Sequence, residues 1–129
     1  MSTRPNLRIG HVAIFVRDLD KMRAFYTDIL GFTVTDEGPH PVASIQMIFM
    51  SSNPEEHHEF VLLEGRPENE NYSPAQQLSF YLENLDELRA LRDRLVAEGI
   101  EIDRYACHGN ALSFFVLIET YGLLMYPKG

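Results

Sequence analysis

Residues 10–32 read GHVAIFVRDLDKMRAFYTDILGF, and their periodicity changes once, from two to about 3.6. The first half alternates. A strand over Leu7–Val16 puts Leu7, Ile9, His11, Ala13 and Phe15 on one face and Val12, Ile14 and Val16 on the other. Asp18 then suits a helix N-cap, because a short carboxylate can accept from the free N–H groups of the first turn. Leu19, Met22, Phe25, Tyr26, Ile29 and Leu30 follow at helical spacing, and Gly31 ends the helix.

Working outward, strands are predicted over Phe32–Thr35, Ala43–Met50 and His57–Leu63, with turn-forming residues between them. The polar stretch GRPENENYSP at 65–74 reads as a linker, and after it the pattern restarts. Leu78, Phe80 and Leu82 alternate with Gln77, Ser79 and Tyr81. Asn84 with Glu87 makes a capping-box-like start, and Leu85, Leu88, Leu91 and Leu95 form a stripe that Gly99 stops. Short strands follow at Glu101–Tyr105, Leu112–Leu117 and Leu123–Tyr126. A shift of 66 lays Leu19 on Leu85, Asp20 on Asp86, Arg23 on Arg89 and Ala24 on Ala90, and the first strand on the fifth. The chain is therefore read as α+β, two βαβββ modules at about 7–64 and 76–127 joined by a linker at 65–75, in one domain spanning 1–129. Side by side, the modules are expected to curve into a cup with the helices outside. His11 and Gln77 would fall on its helix-free face.

At 129 residues, 45% hydrophobic and 23% charged, the composition is that of a folded globular chain. A net charge of −8 argues against nucleic acid and anionic membrane as partners. Neither an apolar run of about 18 residues nor a signal-peptide pattern at Met1–Gly10 is present. Cys107 has no second cysteine to pair with, which together with these points gives a cytoplasmic, reducing setting as the expectation.

The segment Gly10–Leu19, with Phe25-Tyr26 and Leu30-Gly31-Phe32, resembles the vicinal oxygen chelate superfamily, which includes glyoxalase I, bleomycin- and fosfomycin-resistance proteins and extradiol dioxygenases. His57-His58-Glu59, Gly65-Arg66-Pro67 and His108–Ser113 are similar to a single-chain subgroup related to biphenyl-2,3-diol dioxygenase. The resemblance implies a divalent metal, Fe(II) first and Mn, Ni or Zn otherwise, held by residues of the first and last strands of each module. By position these are His11, Glu59 and Gln77, with Tyr126 completing the shell or narrowing the cup. It also implies a role near substrate for His108 as acid, base or hydrogen-bond donor; His108 and Tyr126 are the catalytic candidates. A small catechol-like substrate and a homodimer follow from the same resemblance. The family's usual Asp-Pro-Asp-Gly-Asn turn and the Glu after it are absent, and Glu119-Thr120-Tyr121-Gly122-Leu123 stands there instead.

Each candidate has a plainer reading. His11 is either a hydrogen-bonded core histidine or a ligand, and His108 either a loop histidine or an acid–base group. Gln77 is either a polar rim residue or a ligand, and Tyr126 either a packing aromatic or part of the shell. Strand alternation through His57–Leu63 would put His57 and Glu59 on one face and turn His58 away. A zinc-protease helix is excluded at His58-Glu59, because its second histidine would have to be Leu62. Three functions stay open: a metal-dependent dioxygenase-related enzyme, a non-catalytic small-molecule binder of the bleomycin-resistance type, and a glyoxalase-like isomerase.

Overall fold

The computed structural model describes residues 4–7, 9–53, 55, 57–66, 77–108, 111–118 and 121–127; for 106–108, 111–112, 117–118, 121–124 and 126–127 it describes the backbone alone. The chain divides into two compact units, Met1–Arg66 and Pro67–Gly129. The predicted linker at 65–75 lies outside the described residues from 67 onward.

Unit 1 contains β1 (Val12–Val16), α1 (Leu19–Ala24), a π-helical segment (Phe25–Ile29), β2 (Thr33–Pro39), β3 (Gln46–Ser51) and β4 (Phe60–Glu64). Its sheet runs in the order β1-β4-β3-β2, with β1 and β4 parallel and the other pairs antiparallel. Asp18 caps α1 by accepting from the Lys21 N–H at 3.0 Å. The helix then widens by one residue per turn: the Leu30 N–H donates to the Phe25 carbonyl at 3.2 Å, and the Thr27 hydroxyl to the Arg23 carbonyl at 2.8 Å. Gly31, at φ 81°, lets the Phe32 N–H turn back to the Tyr26 carbonyl at 2.9 Å. The core takes Ile14 and Val16 from β1, Met22, Phe25 and Tyr26 from the helix, and Ile48, Met50, Phe60 and Leu62 from the sheet. Ala13 and Phe15 stay exposed on the other face, as the alternation predicted.

Unit 2 repeats the order with β5 (Gln77–Leu82), α2 (Leu85–Ala97), β6 (Arg104–His108), β7 (Ala111–Ile118) and β8 (Tyr121–Pro127), in the sheet β5-β8-β7-β6. Asn84 accepts from the Glu87 N–H at 2.9 Å; the return arm of the box reaches Glu83, whose N–H donates to Glu87 Oε2 at 3.0 Å. Leu88 and Leu95 of α2 are buried with Phe114, Val116 and Met125 of the sheet. The architecture is α+β with mixed sheets, as the sequence predicts. Among the described residues no helix is long and apolar enough to cross a membrane.

Several predicted strand limits move. β1 starts at Val12 rather than Leu7, and β4 at Phe60 rather than His57. β2 runs on to Pro39, with a bulge between Val34 and Asp36. The last strand departs from the repeat itself. Val12 pairs with Phe60, whereas Leu78, which is Val12 shifted by 66, pairs with Leu123, which is Phe60 shifted by 63. Residues 52–59 separate β3 from β4, whereas residues 119–120 alone separate β7 from β8. The second copy has a shorter connection, and this resets the register of its final strand.

Candidate metal-binding face of unit 1

The helix-free face of the unit 1 sheet is built by alternation. Ile48 and Met50 of β3 are buried, so Phe49 between them points the other way and is half-buried. His57 and His58 pack on Phe49, with ring centroids 6.3 and 5.0 Å away, the latter edge-on. His11 precedes β1 on the neighbouring edge, and its ring lies 4.5 Å from that of His58. Three imidazoles thus gather at one end of β1 and β4. His11 is exposed, which removes the core-histidine reading.

His57 Nδ1 and His58 Nδ1 are 2.8 Å apart. One of them must carry the proton and donate it to the other. Partial burial first, and then the charges of His11 and His57, push the His58 imidazole below its ordinary value.

Glu59 faces elsewhere. Its Oε1 accepts from the Ser52 hydroxyl at 2.7 Å, the Ser52 N–H at 2.8 Å, the Ser51 hydroxyl at 3.1 Å and the Asn53 N–H at 3.2 Å. Partial burial raises this carboxyl, but the bonds from Ser52, Ser51 and Asn53 together outweigh it and hold the group below the usual carboxylate range. The Glu59 backbone meanwhile bridges two strands, donating to the Met50 carbonyl at 2.9 Å and accepting from the Val12 N–H at 3.1 Å. Its side chain fastens the turn after β3.

The sequence set His11, Glu59 and Gln77 is thus distributed as follows. His11 is brought to His58, and not to the carboxylate of Glu59. Gln77 opens β5 in unit 2, exposed, with its amide donating to the Ser79 hydroxyl at 3.2 Å. The expectation that His58 turns away is corrected, because β4 begins at Phe60 and alternation does not reach back to His57. The backbone of His108 ends β6 opposite Ala111, and that of Tyr126 lies opposite Tyr81; both side chains lie outside what is described. The register also changes what Tyr126 corresponds to. Gln77 pairs with Gly122, so a glycine holds the unit 2 position matching Glu59, and Tyr126 matches Leu63. The sequence predicts a turn after β3, but not that His58 joins His11 or that Ser51, Ser52 and Asn53 hold the Glu59 carboxylate. The His57-His58 doublet directly before an apolar strand was the available signal.

A metal is implied by the resemblance, and the donors present fit it in part. Two imidazoles suit Fe(II), Ni, Cu or Zn, whereas Oε1 of the predicted carboxylate is taken by serine and backbone donors. Among the described residues, no group of three or more His, Cys, Asp or Glu is gathered closely enough to hold a metal alone.

Residues 8–116 match the family model of the Glyoxalase/Bleomycin resistance protein/Dioxygenase superfamily. The chain is similar to catechol-2,3-dioxygenase of Bacillus subtilis (strain 168), 30% identical over 99 residues that cover 74% of this chain and 33% of that protein. Over 44 residues it is 43% identical to mitochondrial methylmalonyl-CoA epimerase of Homo sapiens, covering 34% of this chain and 25% of the epimerase. The chain thus spans a quarter to a third of the length of these curated relatives. A fosfomycin resistance protein, FosX, of Listeria monocytogenes, solved with Mn(II) and 1S,2S-dihydroxypropylphosphonic acid, superimposes with a TM-score of 0.68 at 16% identity, covering 95% of this chain and 93% of that one. These matches span several activities and do not single out the biphenyl-diol subgroup.

Proposed function

Because the chain belongs to the glyoxalase/bleomycin resistance protein/dioxygenase superfamily, we propose that it is a metal-dependent enzyme acting on a small molecule with two neighbouring oxygens, a catechol-like diol. One observation carries this reading: His11 is an exposed imidazole beside a second imidazole on the helix-free face, with no core role to account for it. The catechol dioxygenase relative supports an aromatic diol as substrate. A divalent metal would supply Lewis-acid polarisation and a template for the two substrate oxygens. The chain's own residues then have separate tasks. His11 offers a nitrogen lone pair. Phe49 gives the imidazoles an apolar floor, and its ring suits the approach of a flat aromatic. His108, at the end of β6, is the proposed group that takes or returns the diol proton, and Gln77 and Tyr126 are proposed to border the substrate. A homodimer is proposed as the assembly.

A binding protein is the second reading. The tethering of Glu59 to its own turn through Oε1 and the glycine at the matching position of unit 2 favour it, since unit 2 has no carboxylate at that register and that of unit 1 is already held by serine and backbone donors. Calorimetry with catechol on Fe(II)-loaded and metal-free protein, beside an absorbance assay for the yellow ring-fission product, separates the two. The expected result is diol binding that requires Fe(II), falls at least tenfold in His11→Ala, and leads to coloured product. Metal-dependent binding without product would overturn the oxygenase assignment. Binding indifferent to metal and to His11→Ala would establish the sequestering protein.

A further inference from the structure

We propose that the second protein ligand from unit 1 is His58, with His57 as the residue that fixes its tautomer, and that Glu59 is a structural carboxylate and not a ligand. The inference rests on the metal-dependent reading above and departs from the ligand set that the resemblance implies.

Four observations support it. The rings of His11 and His58 are 4.5 Å apart, close enough for both to reach one ion with small rotations about their side-chain bonds. Glu59 Oε1 is already the acceptor of four hydrogen bonds from Ser51, Ser52 and Asn53. Turning Oε1 to a metal would take the acceptor from the Ser52 N–H and hydroxyl, since Ser51 and Asn53 also bond each other at 2.7 and 3.1 Å. An Oε2 ligand would stay tied to the turn through Oε1, whereas His58 needs no such rearrangement. The contact between His57 Nδ1 and His58 Nδ1, at 2.8 Å, gives the second ring nitrogen of His58 an acceptor, the role that a carboxylate, carbonyl or water usually plays for a metal-bound imidazole. When His58 donates its Nδ1 proton to His57, its Nε2 carries the lone pair and is ready to bind; the opposite assignment would leave a proton on Nε2. Phe49, edge-on at 5.0 Å, limits the swing of the His58 ring.

Two neutral nitrogens in place of a nitrogen and a carboxylate change the metal preference. A bis-imidazole pair favours Zn(II), Ni(II), Cu(II) and Fe(II) over the hard oxygen-seeking Mn(II) and Mg(II). It also leaves the site one negative charge poorer, so an anionic diolate would be held more tightly than by a carboxylate-bearing set.

The test is a Zn(II) titration of the metal-free 129-residue chain by calorimetry, with nitrogen-detected NMR of the histidine rings to report which nitrogen binds. Wild type is expected to bind one Zn(II), with shifts at the Nε2 of His11 and His58. His11→Ala and His58→Ala should each weaken binding at least tenfold, and His57→Phe by about tenfold through loss of the tautomer lock. Glu59→Gln should leave Zn(II) affinity within about threefold while lowering the unfolding midpoint; Mn(II) should bind at least tenfold more weakly than Zn(II). A Glu59→Gln protein that loses Zn(II) as fully as His11→Ala, while His58→Ala binds normally, would overturn the proposal and leave the metal-dependent reading standing. Wild type that takes up no Zn(II), Fe(II) or Mn(II) would overturn both. The ring-nitrogen shifts keep the question decidable even if one alanine variant unfolds.

Discussion

Tyr26→Ala is expected to cost about 3–5 kcal/mol of folding stability, the range for removing a large aromatic from a closed core. Tyr26 is fully buried and touches three rings: Phe25 edge-on at 5.3 Å, Phe32 edge-on at 5.7 Å and Phe60 at 4.8 Å. It sits where the π-helical segment turns into the Gly31 cap, so its carbonyl also anchors the entry to β2. Removing the ring leaves a cavity that neighbours on three elements would have to collapse into together. Urea denaturation should show the midpoint falling steeply, and Tyr26→Phe, which keeps all three ring contacts, should lose only about 1 kcal/mol. A Tyr26→Ala midpoint within experimental scatter of wild type would mean that this aromatic cluster is not what holds unit 1 together. The same variant bears on function, because Phe60 opens β4 two residues after His58.

Leu95→Ala is expected to remove about 2–5 kcal/mol from unit 2, the range for a fully enclosed leucine. Leu95 is completely buried on α2, and the Ile100 N–H donates to its carbonyl at 2.9 Å at the helix end. The adjacent Val96 is 57% exposed, so Val96→Ala is the matched control, with a change within about 0.5 kcal/mol. Equal losses for the two substitutions by chemical denaturation would show that the stripe read from the sequence is not the packed face.

The duplicated architecture was legible because each strand–helix boundary is written in local chemistry. Asp18, Gly31, Asn84 and Gly99 mark ends that the backbone honours, and Ile14, Val16, Leu88 and Leu95 alternate or recur as the core requires. His11 was legible for the same reason, being the last polar residue before an alternating strand. The rest of the site was hidden by a rule applied one turn too far. Alternation is a property of paired backbone, and His57 and His58 precede the strand, so nothing in the pattern says which way they face. Glu59 was misread differently: its position in the repeat suggested a ligand, but side-chain partners eight and seven residues back, Ser51 and Ser52, decide where a carboxylate goes. The shift of β8 was hidden because a constant offset assumes equal connections, and those of the two copies differ in length.

That inequality bears on the order in which the chain folds. Strands β3 and β4 must close over the eight residues 52–59, whereas β7 and β8 must close over only residues 119–120. Two doublings of loop length add about 1 kcal/mol of closure entropy before any pairing is gained, and tight hairpins form in roughly 1–10 μs. The second copy therefore carries the faster nucleus, while the first assembles its final hairpin later and at higher entropic cost. Pulse-labelled amide exchange should find the β7–β8 ladder protected before the β3–β4 ladder; simultaneous protection would contradict this order. The same eight residues that slow the first copy contain His57 and His58, so the connection that closes last is the one that carries this imidazole pair, and the quickly closing connection of the second copy has no room for such a pair.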